Sequence, residues 1–189
     1  MLKTIILLTG NIQQQRALCA LLKEHNPALS FRRALTLDEL TGLEPEVLRD
    51  SRLIAFTSDV IVPAATLGRL GHGAYHFHSD PPDYPATAHF ALTDDDQGWD
   101  ATAHRMVERV DRGPIVGIEP FSTHDRIAAR KLEQIAFERL AHLFWRMSRR
   151  IACEPGPLQR YQSPGAPPRA RRSRTANSCE ILPTSTHRN

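Results

Sequence analysis

The chain has 189 residues, 41% of them hydrophobic and 24% charged, a size and composition that predict one globular core and one domain. Its formal charge of +3 is unevenly spread, because six arginines (160, 169, 171, 172, 174 and 188) face one acid, Glu180, from Pro155 onward, leaving residues 1–154 at −2. The positive balance therefore belongs to the tail and gives no ground for a basic nucleic-acid face on the fold.

Thr4–Leu8 is a β-branched, apolar run that stops at Thr9-Gly10. It is too short for the roughly 20 apolar residues of a membrane span. No convincing small-residue cleavage site follows, so the expectation is a buried strand rather than a signal peptide. A helix should follow, with Ala17, Leu18, Leu21 and Leu22 on one face. Leu29–Leu35 reads as a second strand and residues 36–50 as a helix, with Thr36 as N-cap and Asp38-Glu39 in its first turn. Arg52–Ile61 is the next strand, closed by Pro63, and that proline starts a short helix over Ala64–Leu70. Gly73–His78 is a short strand and residues 86–93 suit another helix. Residues 98–110 are ambiguous: the composition favours a helix, yet Thr102, His104 and Met106 would line one face of a strand. Asp111-Arg112-Gly113-Pro114 is a turn and Ile115–Phe121 a strand. The clearest helix spans about 125–151, where Leu132, Ile135, Ala136, Leu143, Phe144, Met147 and Ile151 repeat at helical spacing and Pro155 lies just beyond. The pattern predicts an α/β fold, a domain over 1–154, and a Pro/Arg-rich disordered tail over 155–189. Cysteines 19, 153 and 179 are odd in number and scattered, as in a reduced, cytoplasmic protein.

Six of the nine histidines fall between positions 72 and 124. In Gly-Ala-Tyr-His-Phe-His (73–78), His76 and His78 are two apart, and on a strand both point to one side. Strand ends of open α/β sheets are where ligands collect. Asp111 sits in a tight turn with Gly113-Pro114, as loop carboxylates at sites often do, although Asp before Gly-Pro is also ordinary turn chemistry. A His-x-His pair with a carboxylate is one way to hold zinc or iron. The folds that best suit it fit poorly: a hydrolase barrel needs roughly 200 to 250 residues, and a jelly roll is nearly all β. No metal is expected on these grounds.

The ordered pieces Thr9-Gly10-Asn11, His76-x-His78, Pro82-Asp83-Tyr84-Pro85, Gly98 with His104, and Asp111-x-Gly113-Pro114 resemble the formyltransferase fold family. That family includes glycinamide ribonucleotide formyltransferase and the N-terminal domain of methionyl-tRNA formyltransferase. The resemblance covers roughly residues 1–150 and implies a single Rossmann-like domain with a central, mostly parallel sheet. It implies formyl transfer from 10-formyltetrahydrofolate to an amine, with His78 assisting proton transfer and the oxyanion, and Asp111 positioning that histidine or a water. It places the folate near Ile61 and Leu67, and near Met106, Glu108 and Val110; Ile61 and Val110 would be core residues in any case.

Four departures bear on that expectation. His76 stands where the family has an asparagine that donates an N–H to the oxyanion; histidine also donates one, but it is larger and its tautomer matters. The turn Gly10-Asn11-Ile12-Gln13 lacks a second glycine for a ribonucleotide phosphate. Nothing after residue 155 resembles an RNA-binding domain, so the expected partner is a small-molecule amine and not nucleic acid or a membrane. Ser79-Asp80-Pro81-Pro82-Asp83 replaces the family's Ser-Leu-Leu-Pro type of loop, so the acceptor differs. The alternatives are a folate-binding relative that has lost catalysis, a formyltetrahydrofolate hydrolase and, behind these, a His-x-His metal enzyme.

Overall fold

A computed structural model describes residues 2–80, 99–110, 112–122 and 128–162 of the chain. The elements run β1 (Thr4–Thr9), α1 (Ile12–His25), β2 (Ser30–Ala34), α2 (Leu37–Thr41), α3 (Pro45–Arg49), β3 (Ser51–Phe56), α4 (Ala64–Leu67), β4 (Ala74–Asp80), β5 (Trp99–Arg105), β6 (Ile115–Phe121) and α5 (Ala129–Cys153). The strands form one sheet in the order β2-β1-β3-β4-β5-β6. The first four are parallel, and β5 and β6 complete the sheet antiparallel.

The layering follows from sequence pattern. β1 and β3 sit centrally, covered on both faces, and all of β3 is buried. Such strands are near-continuous apolar runs rather than alternating ones. β2 is the edge, and its Arg32 and Arg33 face solvent, as charged side chains on exposed edges commonly do. On one face, Phe56 and Phe77 pack against Phe144 of α5 at ring-centroid distances of 5.7 and 5.1 Å. This core also holds Leu18 and Leu22 of α1. Burying each such side chain contributes roughly 1.5–3 kcal/mol. On the other face Leu40, Leu48, Leu53, Ala55 and Ala74 form a second cluster beneath α2, α3 and α4.

Several boundaries differ from the sequence expectation for identifiable reasons. The helix expected over 36–50 is two helices. Thr36 does cap the first, accepting from the Glu39 N–H, but Gly42 ends it, and Glu44 is extended before Pro45, as a residue preceding proline prefers. β3 stops at Phe56 rather than Ile61, since Thr57 has φ 48°, a left-handed conformation in which a β-branched residue cannot extend a strand. α4 ends at Leu67, before Gly68. In α1 the buried face uses Gln15 and not Ala17; the Gln15 amide donates to the Ala34 carbonyl at 2.9 Å. Of the ambiguous stretch 98–110, Trp99–Arg105 is the strand β5, and 106–110 are in neither helix nor strand. The helix expected over 86–93, and residues 125–127 of the last one, lie outside the described residues.

The packed chain runs past residue 155. Leu158 is buried, its N–H donates to the Tyr75 hydroxyl at 2.6 Å, and the Tyr161 N–H donates to the Ile115 carbonyl at 2.8 Å. Residues 155–162, expected in a loose tail, thus form a strap under β4, while 163–189 lie outside the described residues. The strap is locked by Arg52, fully buried on β3. Its guanidinium donates to the carbonyls of His72 (3.3 Å), Arg150 (3.2 Å), Ile151, Glu154 (2.8 Å) and Gly156 (2.5 Å). Among the described residues no helix is long and apolar enough to cross a membrane.

Candidate functional site

Alternation along β4 divides its side chains between two environments. Tyr75 and Phe77 enter the α5 core, so Ala74, His76 and His78 share the opposite face. β5 pairs antiparallel, with His104 opposite His76 and Thr102 opposite His78; Ala101 and Ala103 go into the core. Thr102, His104 and Met106 therefore line up beside Ala74, His76 and His78. At the start of β4 this face is apolar: Ala74 is buried in the second cluster, with Leu67 and Met106 packed against it. From residue 76 onward the same face becomes imidazole.

Three rings meet there. His76 and His78 stack with centroids 4.9 Å apart and planes 19° apart. His104 stands edge-on to both, 5.4 Å from His76 and 4.9 Å from His78. His78 Nε2 lies 3.1 Å from His104 Nδ1 and 3.1 Å from the Thr102 hydroxyl. His104 is only 5% exposed, whereas His76 and His78 are half-buried, so the group has a fixed base and an accessible rim. A hydrogen bond between two imidazole nitrogens requires that one donate and the other accept. The tautomers of His78 and His104 are therefore linked, and this pair can hold or pass a proton.

Of the residues singled out from sequence, the structure brings His76 and His78 together as expected and adds His104 to them. Thr102 was visible only as part of the alternation Thr102-x-His104-x-Met106; its bond to His78 follows once 99–105 is known to be a strand paired with β4. The strand also runs two residues beyond His78, so the histidines lie within β4 rather than at its tip. Asp111 and Gly98 lie outside the described residues. Leu67 and Met106 pack against the apolar cluster that contains Ala74, the residue two before His76 on the same face of β4. Ile61 and Val110, expected in the core, are 67% and 58% exposed. Ile61 lies in the segment between Phe56, where β3 ends, and Pro63, so no strand carries it inward. Val110 and the exposed Glu108 lie in the excursion joining β5 to β6. The base of that excursion is closed by the Arg105 N–H donating to the Pro114 carbonyl at 2.9 Å, and by Gly113, where a Cβ would overlap the Arg105 carbonyl.

A second polar cluster is distant from this face in the chain. Glu119 of β6 accepts from His142 Nδ1 at 2.7 Å and Arg146 at 2.6 Å, with Arg139 at 3.8 Å. Burial alone would raise its pKa, but the hydrogen bonds and charges of His142 and Arg146 outweigh this and hold it below the usual carboxylate range. It fastens α5 to β6.

No protein-family model matches the sequence, and no curated protein does. Solved structures do share the fold. A 4-N formyltransferase from Francisella tularensis superimposes with a TM-score of 0.60 at 14% identity, over 87% of this chain and 74% of that one. An N-formyltransferase from Helicobacter canadensis, solved with folinic acid and dTDP-3-aminofucose, gives 0.56 at 18% identity, over 80% and 64%. A formyltetrahydrofolate deformylase from Pseudomonas syringae gives 0.59 at 13% identity, over 79% and 61%. The chain thus spans about two thirds of the length of these proteins, and it has the formyltransferase fold.

Proposed function

We propose that the chain transfers a formyl group from 10-formyltetrahydrofolate to a small-molecule amine on the imidazole face of β4 and β5. The observation that carries this reading is the placement of His78. It shares a face with His76, it is bonded to a buried histidine and a threonine hydroxyl, and it stands in a sheet of the formyltransferase fold. The folinic acid and dTDP-3-aminofucose named with the Helicobacter canadensis neighbour support a small-molecule acceptor and a folate-type donor.

The amine nitrogen attacks the formyl carbon, and the carbonyl electron pair moves onto oxygen to give a tetrahedral oxyanion. His76 and His78 present N–H groups to that oxygen; each donor aimed at a developing oxyanion is worth roughly 10²–10³ in rate. As the intermediate collapses, the bond from carbon to folate N10 breaks. The proton lost by the amine returns to N10, through Asp111 or the imidazole pair, a relay of the kind that contributes roughly 10²–10⁴. The folate ring would lie along Leu67 and Met106, which pack against the Ala74 cluster at the start of the same strand face. Ile61 and Val110, exposed large apolar side chains, and Glu108 would contact it.

The test mixes the protein with 10-formyltetrahydrofolate and a panel of amines, sugar-nucleotide amines included, and follows release of tetrahydrofolate. Asp111→Asn should abolish turnover with the circular dichroism spectrum unchanged. Tight folate binding without turnover on any amine would overturn the transferase reading in favour of a binding protein. Release of formate at the same rate with and without amine would replace it with hydrolysis.

A further inference from the structure

We propose that His76, His78 and His104 together form a binding site for one divalent transition-metal ion of the zinc type. Each residue offers one ring nitrogen, and the three nitrogens lie within 4.8 Å of one another. Zinc–imidazole bonds of about 2.0–2.1 Å at tetrahedral angles put two ligand nitrogens roughly 3.3 Å apart. His78 Nε2 and His104 Nδ1 are 3.1 Å apart, already close to that spacing. Bringing the third nitrogen in needs a movement of about 1–1.5 Å on this geometry, within the reach of a rotation of the half-buried His76 ring about its side-chain torsions.

The backbone makes the arrangement rigid. Two ligands come from alternate positions of one strand, and the third comes from the residue directly opposite on the neighbouring strand. The Cβ positions are therefore fixed by the sheet ladder and do not depend on a loop. An all-imidazole set suits zinc, copper, nickel or iron and disfavours magnesium and calcium, which take oxygen ligands. Three protein ligands leave a fourth position on zinc open, as in metal sites that admit water or a substrate atom. The site exists because position 76 is a histidine; with an asparagine there only two imidazoles would remain. A metal on His78 Nε2 would occupy the lone pair that proton transfer uses, so the metal-loaded and proton-relaying forms exclude one another.

The experiment is equilibrium binding to the untagged full-length chain, free of folate and stripped with a chelator, so its result does not depend on formyl transfer. Zinc is titrated against a chromophoric chelator, and cobalt(II) is added separately to follow its visible ligand-field bands. Expected are one ion per chain, the intense bands of four-coordinate cobalt, and no thiolate charge-transfer band. His76→Asn and His104→Gln should each weaken zinc binding by at least about 100-fold, above the 10–100-fold typical of losing an outer-shell partner. His142→Gln, on α5, should bind as the parent does. If His104→Gln fails to fold, the half-buried His76→Asn still decides the matter. The proposal is overturned if the parent binds less than stoichiometric zinc at micromolar concentrations, or if folded His76→Asn binds as tightly as the parent. Loss of metal binding with formyl transfer intact would remove this inference alone; metal binding without turnover would remove only the transferase reading.

Discussion

Replacing Arg52 with methionine should be among the most damaging single changes in this protein. The guanidinium spends its donors on five carbonyls: those of His72, Arg150, Ile151, Glu154 and Gly156. Three of these belong to the last turn and end of α5, where carbonyls have no helical partner and a cation is favoured. Methionine fills much of the volume but has no N–H to donate to any of the five carbonyls. The bonds to His72 and Ile151 are buried, and stranding each acceptor costs about 1–3 kcal/mol. The other three are part-buried and regain water at roughly 0.5–1 kcal/mol each. The sum is about 3.5–9 kcal/mol, a large share of the 5–15 kcal/mol that stabilises an ordinary domain. Burial lowers the Arg52 pKa, yet an arginine keeps its charge at neutral pH, so the loss does not vanish through deprotonation. Urea unfolding followed by far-ultraviolet circular dichroism should show the midpoint falling with little change in slope. Arg52→Lys, with charge but no planar fork, should fall between the two. A loss below about 1 kcal/mol for Arg52→Met would refute the reasoning, because it would mean the carbonyls find water or one another without help.

Two further outcomes follow from single contacts. Gly113→Ala places a Cβ inside the Arg105 carbonyl, which cannot retreat without opening the base of the β5–β6 excursion; a destabilisation of about 2–4 kcal/mol is expected, at the upper end of overpacking costs, and a midpoint unchanged in urea would count against the tight approach. Glu119→Gln should lower Tm at pH 7, and the deficit should shrink as the solution is acidified. The parent carboxyl is depressed below its usual 4.5 in the fold, so its contribution is complete above that value and is lost as pH falls through the folded pKa. A deficit that stays constant from pH 7 to pH 3 would show that the His142 and Arg146 contacts contribute by shape and not charge.

Where sequence and fold agree, the local and tertiary signals coincide. β1, α1 and α5 carry period and length that no neighbour overrides, and Thr36 caps a helix because its side chain satisfies a backbone donor wherever the rest of the chain goes. Where they diverge, the deciding contact is distant in sequence. Residues 155–162 have the proline content of a tail, yet Leu158 is buried because Tyr75 offers its N–H a hydroxyl and Arg52 holds the chain just before it. Nothing local to 155–162 announces either partner. Ile61 looked like core for the opposite reason: an apolar run after β3 continues the strand pattern, but Thr57 turns the backbone into φ 48° and ends the ladder before Ile61 can be carried inward.

The site shows the same division. That His76 and His78 face one way needed only a strand, and the spacing gave that. What they face depended on whether residues 99–105 form a helix or a strand, and on the register of that strand. Helical composition argued one way and the alternation Thr102-x-His104-x-Met106 the other. Tertiary pairing settles it: β4, paired with β3 on one edge, has its other edge completed by an extended neighbour, and alanines 101 and 103 enter the core cluster that holds Leu143 and Phe144. A one-residue slip would have buried Thr102 and His104 in that core and turned the alanines toward His76. The register is therefore fixed by the apolar face, and the imidazole cluster on the other face is its consequence. The same argument gives position 76 its weight. With the pairing set, the residue there stands opposite His104, so a histidine in place of the expected asparagine does more than exchange one N–H donor for another: it adds a third nitrogen to a pair already 3.1 Å apart.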